Sequence, residues 1–168
     1  MPATEFAASP ASATIAAFRA AADRGDADAV AALLAPGVVF HSPLTDRVRF
    51  EGGEEVAALH RDIFAVLDEL RTSDPLPRGD TFAPPFTARV RGVEMKAVIL
   101  VRLDGRGQIE DLEVYGRPLP ALATLFTALP PRVSARRRGR LRGALVAILS
   151  RPLALALHAA DRLAPRFL

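Results

Sequence analysis

A chain of 168 residues, half of them hydrophobic, is long enough for one domain with its own core plus an extension. It has no cysteine, which excludes a disulfide framework and a thiolate metal centre. The formal charge of +3 hides an asymmetry: residues 132–168 carry nine arginines and one acid, Asp161, whereas residues 1–131 carry 13 basic and 18 acidic side chains, so the body offers no nucleic-acid surface.

Residues 1–11 read as a flexible N-terminus. The opening lacks a basic start followed by an apolar stretch, so no secretory leader is expected. Ser12 and Thr14 are placed to cap a helix whose apolar positions include Ile15, Phe18 and Ala22. Gly25 breaks the run, and Asp26 or Asp28 can cap a second short helix. "APG" at 35–37 ends that helix, and a strand follows from Val38 to His41. "SPLTD" then reads as a turn, with Pro43 fixing φ and Ser42 and Asp46 bonding locally. Val48 to Phe50 is a short strand, closed by Gly52-Gly53.

Residues 54–70 predict the best helix in the chain. Val56, Leu59, Ile63, Val66, Leu67 and Leu70 form its apolar face, and Glu54 and Glu55 favour its first turn. Four prolines between 75 and 85 restrict residues 71–91 to short extended pieces. Residues 93–103 form a strong strand, apolar on both faces at Val98 and Leu100, as a central strand lying between its own core and a partner subunit would be. A single-chain sandwich would give the same pattern. "DGRG" at 104–107 is a hairpin turn, and "QIEDLEVYG" returns as a strand. On that strand Ile109, Asp111, Glu113 and Tyr115 share one face by strict alternation.

The order of elements gives an α+β layer fold with helices on one side of a bent antiparallel sheet. Residues 12–130 form this domain. Its paired opening helices, "LLAPGVVFHSPL", "FEGGEEVAALHRDIF" and "DGRGQIEDLEVYGRP" resemble the nuclear transport factor 2-like superfamily, in particular its SnoaL-like, polyketide cyclase type branch. The resemblance covers about residues 12–128. It implies a cone, in which a curved sheet wraps round the N-terminal helices and leaves a deep apolar pocket, and a homodimer formed through the sheet. It carries over no catalytic motif, because members of the superfamily use different residues or none.

The pocket is expected to be lined by Phe18, Phe40, His60, Phe64, Met95 and Ile99, and to take a small apolar molecule. His41, at the end of the first strand, is expected to face into it. A carboxylate from Asp111 or Glu113 beside that imidazole would fix its tautomer and raise its basicity, and Tyr115 could donate to a developing enolate oxygen. Such a set could run an isomerisation, dehydration or cyclisation of an apolar carbonyl compound. The plainer alternatives are a strand-end histidine bonded to backbone, solvent-facing acids, a core tyrosine and a core His60. A non-catalytic ligand-binding or dimerisation module is the competing function. Three dispersed histidines give no metal site, and no cofactor is expected.

Residues 131–168 are a different kind of sequence, with Arg136, Arg137, Arg138, Arg140 and Arg142 followed by leucines at near-helical spacing. Pro152 should bend or restart that helix, and the charge-free stretch Gly143–Ser150 is too short to span a bilayer. The tail can lie on an anionic membrane, pack on another subunit or cap the pocket of the cone, or remain a solvated arm; nucleic acid is disfavoured because the leucines would have no use there. The expected location is cytoplasmic, at the membrane periphery.

Overall fold

The computed structural model describes residues 10–166. Of the expected flexible N-terminus, residues 1–9 lie outside the described residues, while Pro10 and Ala11 are already helical. Helices α1 (Pro10–Arg24) and α2 (Ala27–Ala31) open the chain. Gly25 takes a positive φ between them, and Asp26 caps α2 by accepting from the Ala29 N–H at 2.9 Å. Thr14 does not cap α1; it sits inside the helix and its hydroxyl donates to the Gly107 carbonyl at 2.9 Å, which fastens α1 to a distant hairpin turn.

Eight strands form one sheet: β1 (Leu34–His41), β2 (Arg49–Glu51), β3 (Asp68–Thr72), β4 (Leu76–Arg78), β5 (Thr81–Ala83), β6 (Pro85–Val90), β7 (Val93–Leu103) and β8 (Ile109–Arg117). The spatial order is β2-β1-β8-β7-β5-β4, with β6 on the other half of β7 and β3 beyond it. The sheet is antiparallel except for the β1–β8 pair, which is parallel. Pro36 and Gly37 do not precede β1. They lie inside it, where the register with β8 slips between Leu34 and Val39, and such an irregularity tolerates a residue without an N–H.

Helix α3 (Gly53–Phe64) is shorter than its sequence pattern suggests. Leu67 and Leu70 keep helical spacing, but residues 68–72 pair with β6, with Arg71 opposite Thr87 and Thr72 opposite Phe86. Ladder bonds and a shared core outweigh local periodicity there. Strand β7 has the predicted bounds. Met95, Ala97, Ile99, Val101 and Leu103 are buried on its inner face, and Val98 and Leu100 are half-buried on the outer one.

The expected boundary at residue 130 falls within α4 (Leu119–Arg138). Ala121, Leu125, Leu129 and Val133 recur every fourth residue along this helix and are all buried, so α4 belongs to the core despite Pro130 and Pro131. Its last turn is clamped to α3: Arg136 bonds Asp62 Oδ2 at 2.8 Å and Glu55 Oε1 at 3.0 Å, and Arg137 reaches Glu55 at 2.7 Å. Part of the expected arginine arm is therefore structural.

Helix α5 (Arg140–Leu163) folds back along α4 as a hairpin. A Cβ at Gly143 would stand 2.7 Å from the Pro131 carbonyl oxygen and from Ala135 Cβ, so only glycine permits this close approach. Pro152 does not break α5. It is exposed, so the carbonyl it leaves unbonded can meet solvent. Within the continuous helical stretch Arg140–Arg166, 27 residues long, an 18-residue window reaches a mean hydropathy of 1.6, enough by length and composition to cross a bilayer. That corrects the reading of the charge-free stretch alone as too short.

Candidate functional site

The concave side of the sheet and helices α1, α3 and α4 enclose a cavity of about 400 Å³. All six predicted lining residues, Phe18, Phe40, His60, Phe64, Met95 and Ile99, line it. Alternation accounts for the strand contributions: Phe40 and Phe86 point inward from β1 and β6, Met95 and Ile99 from β7, and Val114 from β8. The fourth wall is α4, through Leu125, Phe126, Leu129 and Val133, with Ser134, Arg137 and Arg138 in its last turns. Val146 of α5 and the loop from Ser42 to Thr45 complete the lining.

Capping of the pocket is among the expectations for the tail, and Val133, Ser134, Arg137, Arg138 and Val146 do line it; what sequence reasoning missed is that the fourth wall is one helix beginning at Leu119. Its signal was present in the four-residue repeat from Ala121 to Val133, but Pro130-Pro131 and the arginine run masked it.

His60 is a buried polar residue of this cavity, 3% exposed; the Thr72 hydroxyl on the same lining is also buried, without a hydrogen-bond partner among the described residues. His60 sits on the α3 face between Val56 and Phe64, four residues from each. The rings of Phe18, Phe40 and Phe64 approach it edge-on, with centroids 6.3, 5.9 and 5.8 Å away. Its Nδ1 is 2.8 Å from the Val56 carbonyl oxygen. A carbonyl only accepts, so Nδ1 must carry the proton, and the neutral ring keeps Nε2 as a bare acceptor. Burial among apolar rings pushes the His60 pKa down to about 4, partly opposed by the bond to Val56. The ring is therefore neutral at pH 7. The hydrogen bond that the His60 ring makes to the described residues is at Nδ1.

His41, Asp111, Glu113 and Tyr115 lie elsewhere. His41 alternates with Val38 and Phe40, whose side chains are buried on the inner face, and it does not line the cavity although its neighbours Phe40 and Ser42 do. The predicted pairing does form: His41 Nε2 is 3.1 Å from Asp111 Oδ2, across the β1–β8 pair. It forms on the outer face of the sheet, where Arg102 also approaches Asp111 at 3.6 Å.

A slip in the β7–β8 register, from Arg102 opposite Asp111 to Leu103 opposite Ile109, explains the shared face. Ile109 and Leu112 are both fully buried, so strict alternation fails at Glu110, and Asp111, Glu113 and Tyr115 turn outward together. Tyr115 is 54% exposed, and its phenol is held above the ordinary value chiefly by its bond to Glu113. The expectation that His41 looks into the pocket is thus corrected by strand parity, and Tyr115 with the two acids follows it.

Among the described residues, no three histidine, aspartate or glutamate side chains come together as a metal site. At the cavity edge, Arg137 lies over the Phe50 ring, 4.5 Å from its centroid. Glu55 is held below its ordinary pKa mainly by its hydrogen bond to Arg136, so the pair of arginines faces an ionised carboxylate.

Comparison with known proteins agrees with this architecture. The SnoaL-like domain matches residues 15–111. An uncharacterised protein with a cystatin-like fold from Silicibacter pomeroyi is 29% identical, with a TM-score of 0.69, over 76% of this chain and 89% of that one. A steroid delta-isomerase from Pseudomonas aeruginosa is 27% identical, with a TM-score of 0.70, over 77% of this chain and 95% of that one. An NTF2-like protein from Cytophaga hutchinsonii, 18% identical over 67% of this chain and 93% of that one with a TM-score of 0.53, shares the fold. No curated protein sequence matches the chain. With the cone, the cavity and the matched segment in agreement, the chain belongs to the SnoaL-like domain family of the nuclear transport factor 2-like superfamily.

Proposed function

We propose that the cavity binds a small apolar molecule that carries one hydrogen-bond donor, a hydroxyl or an N–H, and that this donor meets Nε2 of His60. The observation behind this reading is a bare acceptor, fixed in orientation by the Val56 carbonyl, on an otherwise largely apolar wall. A cavity of about 400 Å³ accommodates a ligand of three to four fused rings. Apolar contact supplies most of the affinity, and the His60 bond selects ligands that carry the donor.

The test compares 1-hydroxypyrene with 1-methylpyrene, two fluorescent probes of similar size of which only the first has a donor. The protein should prefer 1-hydroxypyrene by about tenfold, the value of one net hydrogen bond of ~1.4 kcal/mol. His60→Leu should erase the preference and keep binding of 1-methylpyrene. Equal affinities in the unsubstituted protein would refute the reading.

A second reading is acid–base chemistry on an apolar carbonyl compound, as an isomerase, cyclase or dehydratase. It is favoured by the likeness to the Pseudomonas aeruginosa steroid delta-isomerase. It ranks second on physical grounds. The cavity base would have to be His60, and a ring with a pKa near 4 is a weak proton acceptor at neutral pH. The four side chains with suitable chemistry are on the other face of the sheet. Turnover of an unsaturated steroid ketone by the protein, abolished in His60→Leu, would promote this reading over binding alone.

The homodimer is part of the same proposal. Tyr115 stands exposed on the outer face beside the half-buried Val98 and Leu100, an apolar strip that a second copy of the sheet would cover.

A further inference from the structure

We infer that α5 docks the protein on an anionic membrane surface, lying in the plane of the bilayer with one side buried in it. Leu141, Leu145, Ile148, Leu149 and Leu155 are between 55% and 89% exposed. At 100° per residue they fall on one side of the helix, centred opposite Gly143, Ser150 and Ala154, the three residues of α5 buried against α4. Arg142 flanks this apolar stripe on one side, and Arg140, Arg151 and Arg162 on the other. None of these four, nor Arg138 just before the helix, makes an ion pair among the described residues. An apolar stripe edged by unpaired cations is complementary to acyl chains bordered by anionic headgroups.

Two other occupants fit less well. A second copy placed on this face would bring the same arginines against each other, with Asp161 as the one acid on the helix. A bilayer-crossing helix would have to leave α4, yet the approach at Gly143 is tight and His158 Nε2 lies 3.2 Å from the Thr124 hydroxyl on α4. Val146 of α5 also lines the cavity, so a docked α5 would set a cavity wall at the membrane surface. The inference does not depend on what the cavity holds.

The test is flotation of the full chain with vesicles of phosphatidylcholine alone or mixed equally with phosphatidylglycerol. The protein should float with the mixed vesicles, release in high salt or alkaline carbonate, and bind phosphatidylcholine alone at least tenfold less. Leu145→Asp with Leu149→Asp should abolish flotation while the circular dichroism spectrum and melting temperature stay unchanged. Arg138→Glu with Arg142→Glu should weaken it about tenfold or more. No flotation with mixed vesicles would overturn the inference. So would flotation that both double variants retain, resistance to carbonate extraction, or a concentration-dependent dimer dispersed by the leucine variants without any vesicle binding.

Discussion

His41 Nε2 and Asp111 Oδ2 are 3.1 Å apart across the parallel β1–β8 pair, and both side chains lie on the face of the sheet that turns away from the cavity. The pair has the composition of an acid–base site and the location of a surface contact. His41→Ala and Asp111→Asn should therefore leave 1-hydroxypyrene affinity within about twofold. Each should cost ~0–1 kcal/mol of stability, as half-exposed ion pairs do. A tenfold loss of probe affinity in either variant would return the pair to the site.

Stability should fall with acid through His60. Its folded pKa of about 4 lies below the ordinary histidine value, so between those two values the unfolded chain binds the proton that the folded ring refuses. The contribution is complete above pH 6.5 and is lost as the pH falls through 4. It amounts to roughly 3 kcal/mol for a fully buried ring. Urea melts from pH 7 to pH 4 should show this slope, and His60→Leu should flatten it. An equal slope in both proteins would mean that His60 is not the group responsible.

The clamp between α4 and α3 should matter for folding more than its surface position suggests. Asp62 is 8% exposed and takes its bond from Arg136 at 2.8 Å, with Arg132 more distant at 3.9 Å. Arg136→Ala would leave that carboxylate nearly unpaired and should cost ~1–3 kcal/mol in a denaturant melt. Arg138→Ala, which breaks no ion pair, should cost under ~0.5 kcal/mol. A chain ending at residue 131 should lose the fold's closing wall, because Val133 and the clamp are removed together.

The proposed dimer predicts a sedimentation change. Leu100→Glu with Tyr115→Glu places charges on the outer strip and should yield monomers that keep probe affinity. A protein that is already monomeric at micromolar concentration before substitution would contradict the dimer.

The sheet and the first three helices were legible because their signals are local. Asp26 caps where an aspartate after a glycine should, and β7 is a run of alternating residues that the structure keeps from Val93 to Leu103. The wall made by α4 was hidden because two prolines and a charge run resemble a linker, whereas the helix is held by partners on α3 more than 70 residues away. The side of the sheet on which His41 falls could not be read from β1 alone. It follows from the burial of Val38 and Phe40, and with Val39 also apolar the strand itself does not mark which parity faces in; the side taken by Asp111, Glu113 and Tyr115 depends on the bulge at Glu110, which reverses strand parity. His60 stood in plain view at helical spacing with Val56 and Phe64, but its tautomer follows only from the Val56 carbonyl.

Donor binding at His60 is read most directly from the nitrogen-15 spectrum of its ring during titration with 1-hydroxypyrene at pH 7. The ring should be neutral with the proton on Nδ1, and the resonance of the bare Nε2 should move toward the hydrogen-bonded value as the probe saturates. A ring protonated at Nε2, or an Nε2 resonance unmoved while the probe binds, would contradict donor binding at His60.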